Sequence, residues 1–307
     1  MVSLRDYLHD IFYTWGISNG WTNFQLYVAW ANSGNKDSIS QAEALVSSME
    51  EKDSVVKPNL LSYSAIIACI SKGEGRPDTE RAEGVLFRMA KMQELGNGNV
   101  KPDTGKQQQT VSIHFSHKKA HENTQLYFVI SFHRIVNHAV IYNQVINLYS
   151  KSGSKGSAER AEKLLKRMQA LASAGNFRVA PDVRTYNLVL SAYANEKGPN
   201  AAADAEKILA RLENHETVRP NSISYITCMD SYARTGDVHN SLRILSLLEK
   251  AFKEGNSDAK PNRRAYTSAL NALAKSGRGD AGARADALVQ AMETLFKEGN
   301  KDLEPGE

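Results

Sequence analysis

Cysteine is scarce: the chain has two in 307 residues, Cys69 and Cys228. That excludes a disulfide-stapled scaffold and predicts two buried, free thiols in a reducing compartment. No run of 18 apolar residues exists, so neither a helical membrane span nor a membrane partner is expected. Charge of one sign is lacking too: the formal net charge is +4, with 41% apolar and 23% charged residues. Those are ordinary values for a globular chain, and bulk basicity gives no argument for a nucleic-acid partner. The first twenty residues carry Asp6 and Asp10 among aromatics, and so lack the Arg-rich, acid-poor character of a transit peptide. Residues 1–21 stay unassigned: one helix and the remnant of a further repeat both fit.

Proline is also sparse, with eight residues, but its placement is regular. Pro58, Pro181, Pro220 and Pro261 each stand five residues ahead of a tyrosine: Tyr63, Tyr186, Tyr225 and Tyr266. Proline disfavours helix at the residue before it and lacks an N–H, so each marks a stop and a new start. After each start an apolar stripe recurs at i, i+3, i+4 and i+7, one face of a helix. Tyr186, Val189, Leu190 and Tyr193 form one such stripe. Tyr63, Ile66, Ile67, Ile70 and Tyr142, Val145, Ile146, Tyr149 match it. So do Tyr225, Cys228, Met229, Tyr232 and Tyr266, Ala269, Leu270, Leu273, while Asn23, Leu26, Tyr27 and Trp30 give a sixth copy.

A second stripe follows each first one and begins with a small residue. Examples are Ala42, Leu45, Val46, Met49 and Ala205, Ile208, Leu209, Leu212; the last is Ala285, Leu288, Val289, Met292. A glycine usually separates the two stripes, as expected where one helix ends. The unit is therefore a helical hairpin, repeated about six times. A lone hairpin cannot bury its apolar faces, but stacked hairpins can. The expected fold is all-α, a right-handed α-α superhelix (solenoid) of about six helix–turn–helix repeats over residues 22–305.

One stretch does not belong. Residues 105–139 carry no stripe and hold five of the eight histidines. Tyr63 to Tyr142 spans 79 residues; without these 35 the spacing is 44, as from Tyr142 to Tyr186. Their removal also restores the five-residue step from Pro102 to Tyr142. Two origins stay open. One is an inserted loop. The other, favoured, is a translated intron, since Gly105-Lys106 can be encoded GGTAAG and Ala139-Val140 GCAGTN; transcripts joining Thr104 to a single valine are its expected sign. His114, His117 and His121 have ligand-like helical spacing, but no cysteine or paired carboxylate completes the set. No metal and no cofactor is expected. The segment carries Lys106, Lys118, Lys119 and Arg134 against Glu122, a net of +3, which leaves +1 for the rest.

The hairpin motif resembles the pentatricopeptide repeat (PPR) family. The residues that carry the likeness are Lys57-Pro58-Asn59 before Tyr63-Ser64, Lys101-Pro102-Asp103 before Tyr142-Asn143, Pro181-Asp182 before Tyr186-Asn187, Arg219-Pro220-Asn221 before Tyr225, and Lys260-Pro261-Asn262 before Tyr266-Thr267. Tetratricopeptide repeats lack this Pro-Asp/Asn lead-in. The chain departs from the family in length: its tyrosines lie 44, 39 and 41 residues apart from Tyr142 onward, against family units near 35.

The resemblance implies single-stranded RNA as partner, one base per repeat, in RNA metabolism of a mitochondrion or chloroplast. It implies that the residue after each tyrosine and the residue after the closing proline read the base. Carried over, the pairs are Ser64 with Asp103, Asn143 with Asp182, Asn187 with Asn221, Ile226 with Asn262, and Thr267 with Gly306; Phe24 with Asn59 is the first. Ser/Asp looks like a guanine reader, Asn/Asp a uracil reader and Asn/Asn a pyrimidine reader. Ile226 cannot hydrogen-bond, so its repeat is expected to be permissive. Leu61, Val140, Arg184, Ile223 and Arg264 would sandwich bases or meet phosphates. Lys57, Lys101, Arg219 and Lys260 would touch the RNA backbone. From the residues alone, Asn, Ser and Asp after a proline are also ordinary helix caps. A protein-interaction scaffold is the alternative function. No aspartate cluster or Cys/His set suggests an enzyme.

Overall fold

In the computed structural model, residues 37–51, 54, 57–73, 78–94, 138–196, 198 and 200–303 are described. Every regular element among them is helical: α1 (Ser38–Glu50), α2 (Leu60–Lys72), α3 (Thr79–Glu94), α4 (His138–Ser152), α5 (Ser157–Ser173), α6 (Val183–Asn195), α7 (Ala201–Glu213), α8 (Ser222–Thr235), α9 (Val238–Lys253), α10 (Arg263–Lys275) and α11 (Ala281–Lys297), with short 3-10 turns between. The expected all-α repeat of helical hairpins is what forms. The chain divides into two compact units, Met1–Val145 and Ile146–Glu307, with the division inside α4.

The prolines start first helices as the sequence predicts, and the residue after each does the chemistry of starting. Asn59, Asp182, Asn221 and Asn262 are the N-caps of α2, α6, α8 and α10. Each side-chain oxygen accepts a backbone N–H three residues on: Ser62 at 3.0 Å, Thr185 at 2.8 Å, Ser224 at 3.1 Å and Ala265 at 3.2 Å. At the first three, the Ser or Thr hydroxyl bonds back and closes a capping box. Each cap is worth about 1 kcal/mol.

In the first unit α2 packs against both α1 and α3. In the second, α8 packs against α6, α7, α9 and α10. The register tyrosines Tyr63, Tyr186, Tyr225 and Tyr266 are fully buried, as is Tyr149. A buried phenol needs a partner. Tyr63 donates to Glu50 at 2.9 Å, Tyr225 to Glu213 at 3.0 Å and Tyr266 to Glu249 at 2.7 Å, while Tyr186 accepts from Gln169 at 2.8 Å. Each partner follows the last residue of the preceding second-helix stripe, so the tyrosine locks one hairpin onto the one before.

The second-helix stripes are buried from α1 through α9, including Ala42, Ala161 and Ala205 at their close approaches. The stripe of α11 differs: no residue of that helix is buried, and Val289 is 41% exposed. Among the described residues, no further hairpin covers it.

The extra length of these repeats has a structural use. Gly175, Gly255 and Gly299 end α5, α9 and α11 in the left-handed region, at φ of 94°, 96° and 106°. Each leads to an asparagine and then a 3-10 turn that buries one apolar residue: Val179, Ala259 or Leu303. Asn256 donates to the Pro220 carbonyl at 2.8 Å and Asn300 to the Pro261 carbonyl at 3.0 Å. These amides tie the end of one hairpin to the proline that opened it. After α7 the turn is made differently: His215 Nδ1 accepts the backbone N–H groups of Thr217 and Val218 at 3.3 and 3.2 Å.

Residues 1–21, and 105–137 of the non-repeat segment, lie outside the described residues. The last two residues of that segment, His138 and Ala139, are helical and open α4.

Candidate nucleic-acid interface

The residue after each register tyrosine sits on a first helix. In the first unit, Ser64 is 3% exposed. Its hydroxyl donates to Gln144 Oε1 at 3.1 Å and accepts from Gln144 Nε2 at 3.0 Å. Asn143 is 8% exposed, and its Oδ1 is buried with no hydrogen-bond partner among the described residues. A buried carbonyl oxygen left so costs free energy until something donates to it. Leu61 is buried, which makes it a packing residue of α2 rather than the free stacking surface the resemblance implies. Val140 is half-buried.

In the second unit, Asn187 Nδ2 donates to Asn221 Oδ1 at 3.1 Å. These two residues are 34 apart and stand on α6 and at the start of α8. The Ser224 hydroxyl donates to Asn187 Oδ1 at 2.6 Å. Asn187 Oδ1 and one Nδ2 proton are thus engaged; the other Nδ2 proton and the Nδ2 group of Asn221 take no part in these bonds. Capping and pairing are therefore compatible, because a cap uses only the oxygen of the asparagine. Ile226 is 2% exposed and belongs to the core. Thr267 is exposed and donates its hydroxyl to the Arg263 carbonyl at 2.9 Å. Its expected pair partner, Gly306, lies outside the described residues, as do Asp103, Phe24 and Lys101.

The expected stacking and phosphate positions are open in this unit. Arg184 is exposed, Ile223 is 55% exposed, and Arg264 is exposed with an ion pair to Asp230 at 3.4 Å. Of the lysines and arginines before the prolines, Arg219 is exposed, Lys260 pairs with Asp302 at 2.6 Å, and Lys57 bonds the Glu51 carbonyl at 2.6 Å.

Sequence reasoning missed a set of carboxylates. Glu162 and Glu206 each follow the small residue of a second-helix stripe. Glu206 accepts from Tyr232 at 2.5 Å and from Arg243 at 2.6 Å. Glu162 accepts from Tyr193 at 2.5 Å and Arg211 at 2.7 Å. Burial pushes both carboxyls up, but the hydrogen bonds from Arg243 and Tyr232, and from Lys166 and Tyr193, outweigh it and hold both below the ordinary value. The acid after the small residue recurs at Glu43, Glu83 and Asp286, so the signal was present in the repeat. Glu43 takes a comparable bridge from Arg81 at 2.6 Å.

Both cysteines are buried and free, as expected. Burial pushes the Cys69 thiol up to about 11 and the Cys228 thiol up to about 12. Among the described residues no group of three His, Cys, Asp or Glu side chains is placed to hold a metal ion, and no helix is long and apolar enough to cross a membrane. The triplet His114, His117 and His121 lies outside those residues.

Proline-capped hairpins in tyrosine register make this chain an all-α helical-repeat protein. No protein-family model matches it, and neither does any curated protein. Among solved structures it is similar to the pentatricopeptide repeat protein PPR10 from maize, at 20% identity and a TM-score of 0.42, over 93% of this chain and 34% of that one. It is similar also to PPR10 in complex with an 18-nt psaJ RNA element, at 18% identity and a TM-score of 0.40, over 93% of this chain and 35% of that one. The chain spans about a third of the length of these proteins.

Proposed function

We propose that the chain binds single-stranded RNA, with bases read one per repeat by the residue after the tyrosine and the residue after the next proline. The observation that carries this reading is the contact between Asn187 and Asn221. Two amides from consecutive hairpins meet where a base edge needs two polar groups. Single-stranded bases expose their pairing edges, and helical repeats suit that kind of reading. The exposed Ile223 offers an apolar face for a base, and Arg184 can stack or meet a phosphate. Asn143, Asp182, Asn262 and Thr267 are further proposed contacts. Asp103 is the proposed partner of Ser64. Val140 and Arg264 flank bases in the same way. Organellar transcripts are the proposed targets, on the family resemblance.

The test is a fluorescence anisotropy titration of the full chain with a single-stranded RNA and with its duplex. Preference for the single strand, weakened by Asn187→Ala, supports the reading. Equal, weak binding to both by a folded chain favours the protein scaffold instead. The uncovered stripe of α11 is the surface that would then matter.

A further inference from the structure

Three register tyrosines have a carboxylate to donate to: Glu50, Glu213 and Glu249 take the protons of Tyr63, Tyr225 and Tyr266. At Tyr186 the same place in the preceding second helix holds an amide, Gln169. There the bond runs the other way, from Gln169 Nε2 to the phenol oxygen at 2.8 Å. Arg211 sets that direction. Its Nη2 donates to Gln169 Oε1 at 3.4 Å, so the amide oxygen faces the guanidinium and the nitrogen faces the tyrosine. The proton of Tyr186 therefore has no acceptor among the described residues, although the side chain is 1% exposed. Burial raises the phenol more than the Gln169 bond and the Arg211 charge lower it, so the proton stays on at neutral pH. A buried donor left so costs free energy until something accepts from it.

Tyr186 lines a cavity of about 490 Å³, and Arg211 and His215 line it too. The His215 ring stands edge-on to Tyr186, with centroids 5.8 Å apart. Because His215 Nδ1 accepts two backbone N–H groups, the neutral ring carries its proton on Nε2. Arg211 gives one N–H to Glu162 and one to Gln169, and keeps the rest. Glu216 adds a negative charge to the wall, but it is exposed and can turn to solvent. We propose that this cavity binds a small organic acid, whose carboxylate takes the part that Glu50, Glu213 and Glu249 play in other repeats. Its oxygens accept from the Tyr186 hydroxyl and the Arg211 guanidinium, and His215 Nε2 is a further donor. Guanidinium and carboxylate match as planar groups, and the volume suits a metabolite-sized ligand. The site shares no residue with the Asn187–Asn221 contact and does not depend on the RNA reading.

The test is a calorimetric titration of the full chain with succinate, a small acid of this class. Wild type should give a saturable heat. Tyr186→Phe lacks the proton and should bind about 10-fold more weakly, the value of one hydrogen bond to a charged group. Gln169→Glu offers its own carboxylate to Tyr186 and Arg211, and should lose succinate binding with its helical circular dichroism intact. That variant decides the matter if Tyr186→Phe fails to fold. A flat titration of the wild type leaves water as the occupant and overturns the proposal. Unchanged affinity in Gln169→Glu places the acid elsewhere and overturns it too. Inorganic phosphate bound as tightly as succinate would make this a general anion site and overturn the choice of an organic acid.

Discussion

Asn187 and Asn221 lie 34 residues apart in sequence and 3.1 Å apart in space, amide to amide. One is a half-buried residue of α6 and the other caps α8. Their substitutions should therefore part company. Asn221→Ala removes a cap and should cost about 1 kcal/mol of stability. Asn187→Ala should cost much less, because the Ser224 proton can turn from Asn187 to Asn221 Oδ1, which lies 3.1 Å away. Both should weaken RNA binding. Urea denaturation and an RNA titration on the same samples separate the two effects. An Asn187→Ala variant that loses as much stability as Asn221→Ala would make the contact structural alone.

The bond set at Glu206 should matter to the fold rather than to RNA. Glu206→Ala strips an acceptor from Tyr232 and a counter-ion from Arg243. Hydrogen bonds to charged groups contribute about 1.5–3 kcal/mol, and partial exposure discounts that, so a loss of about 1–2 kcal/mol is expected. Because the folded carboxyls of Glu206 and Glu162 sit below their ordinary values, their contribution is full above about pH 4.5. It is lost as pH falls through the folded values. Acid titration of the wild type against Glu206→Ala, followed by helical circular dichroism, should show the two converging at low pH. A gap that persists there would contradict the assignment.

Alkaline pH should destabilise the chain as well. The thiols of Cys69 and Cys228 are raised by burial, and the phenols of Tyr193, Tyr225, Tyr232 and Tyr266 are raised first by burial. A raised folded value favours the protonated form in the native state. That stability is present below the unfolded values, near 9 for cysteine, and is lost as pH rises through the folded ones. Thermal melts should therefore fall between about pH 9 and 12. A thiol reagent at pH 8 should label neither cysteine until the chain is unfolded. Rapid labelling of the native protein would count against buried thiols.

Glycine substitutions should divide by what a Cβ would meet. Gly236 has a φ of 71°, and a Cβ there would lie 2.8 Å from the Lys275 carbonyl oxygen and 3.0 Å from its carbon. Gly255 has a φ of 96° with open space around it. Both alanine variants carry left-handed strain of about 1–2 kcal/mol. Gly236→Ala adds a backbone collision, so it should lose clearly more. Equal midpoints in urea would mean the backbone there yields freely.

Most of the fold was legible because the apolar period and the proline-to-tyrosine step are local signals. The stripes Tyr186 to Tyr193 and Ala205 to Leu212 are buried as read, and the prolines open helices. The Asn and Asp caps were legible too, since capping chemistry is fixed by the residues at the helix start. What stayed hidden depends on what meets what across the chain. Glu206 reads as a solvated charge until Tyr232 and Arg243 are seen beside it. Gln144 meets Ser64 across 80 residues, with the non-repeat segment between them. The extra residues of the long repeats had no evident use in the sequence, but Gly255 and Asn256 build a turn that holds Pro220. Leu61 matched a repeat position, but α1 and α3 flank its helix and it is buried.

The central claim is that neighbouring repeats read neighbouring bases through Asn143 and Asn187. Selection from a random single-stranded RNA pool by the purified full chain tests it most directly. The account predicts enrichment of a short motif in which uracil neighbours a pyrimidine. It predicts that the motif vanishes when Asn143 and Asn187 are both changed to alanine, with helical content unchanged. A folded wild-type chain that enriches no sequence, or a double variant that enriches the same motif, would contradict it.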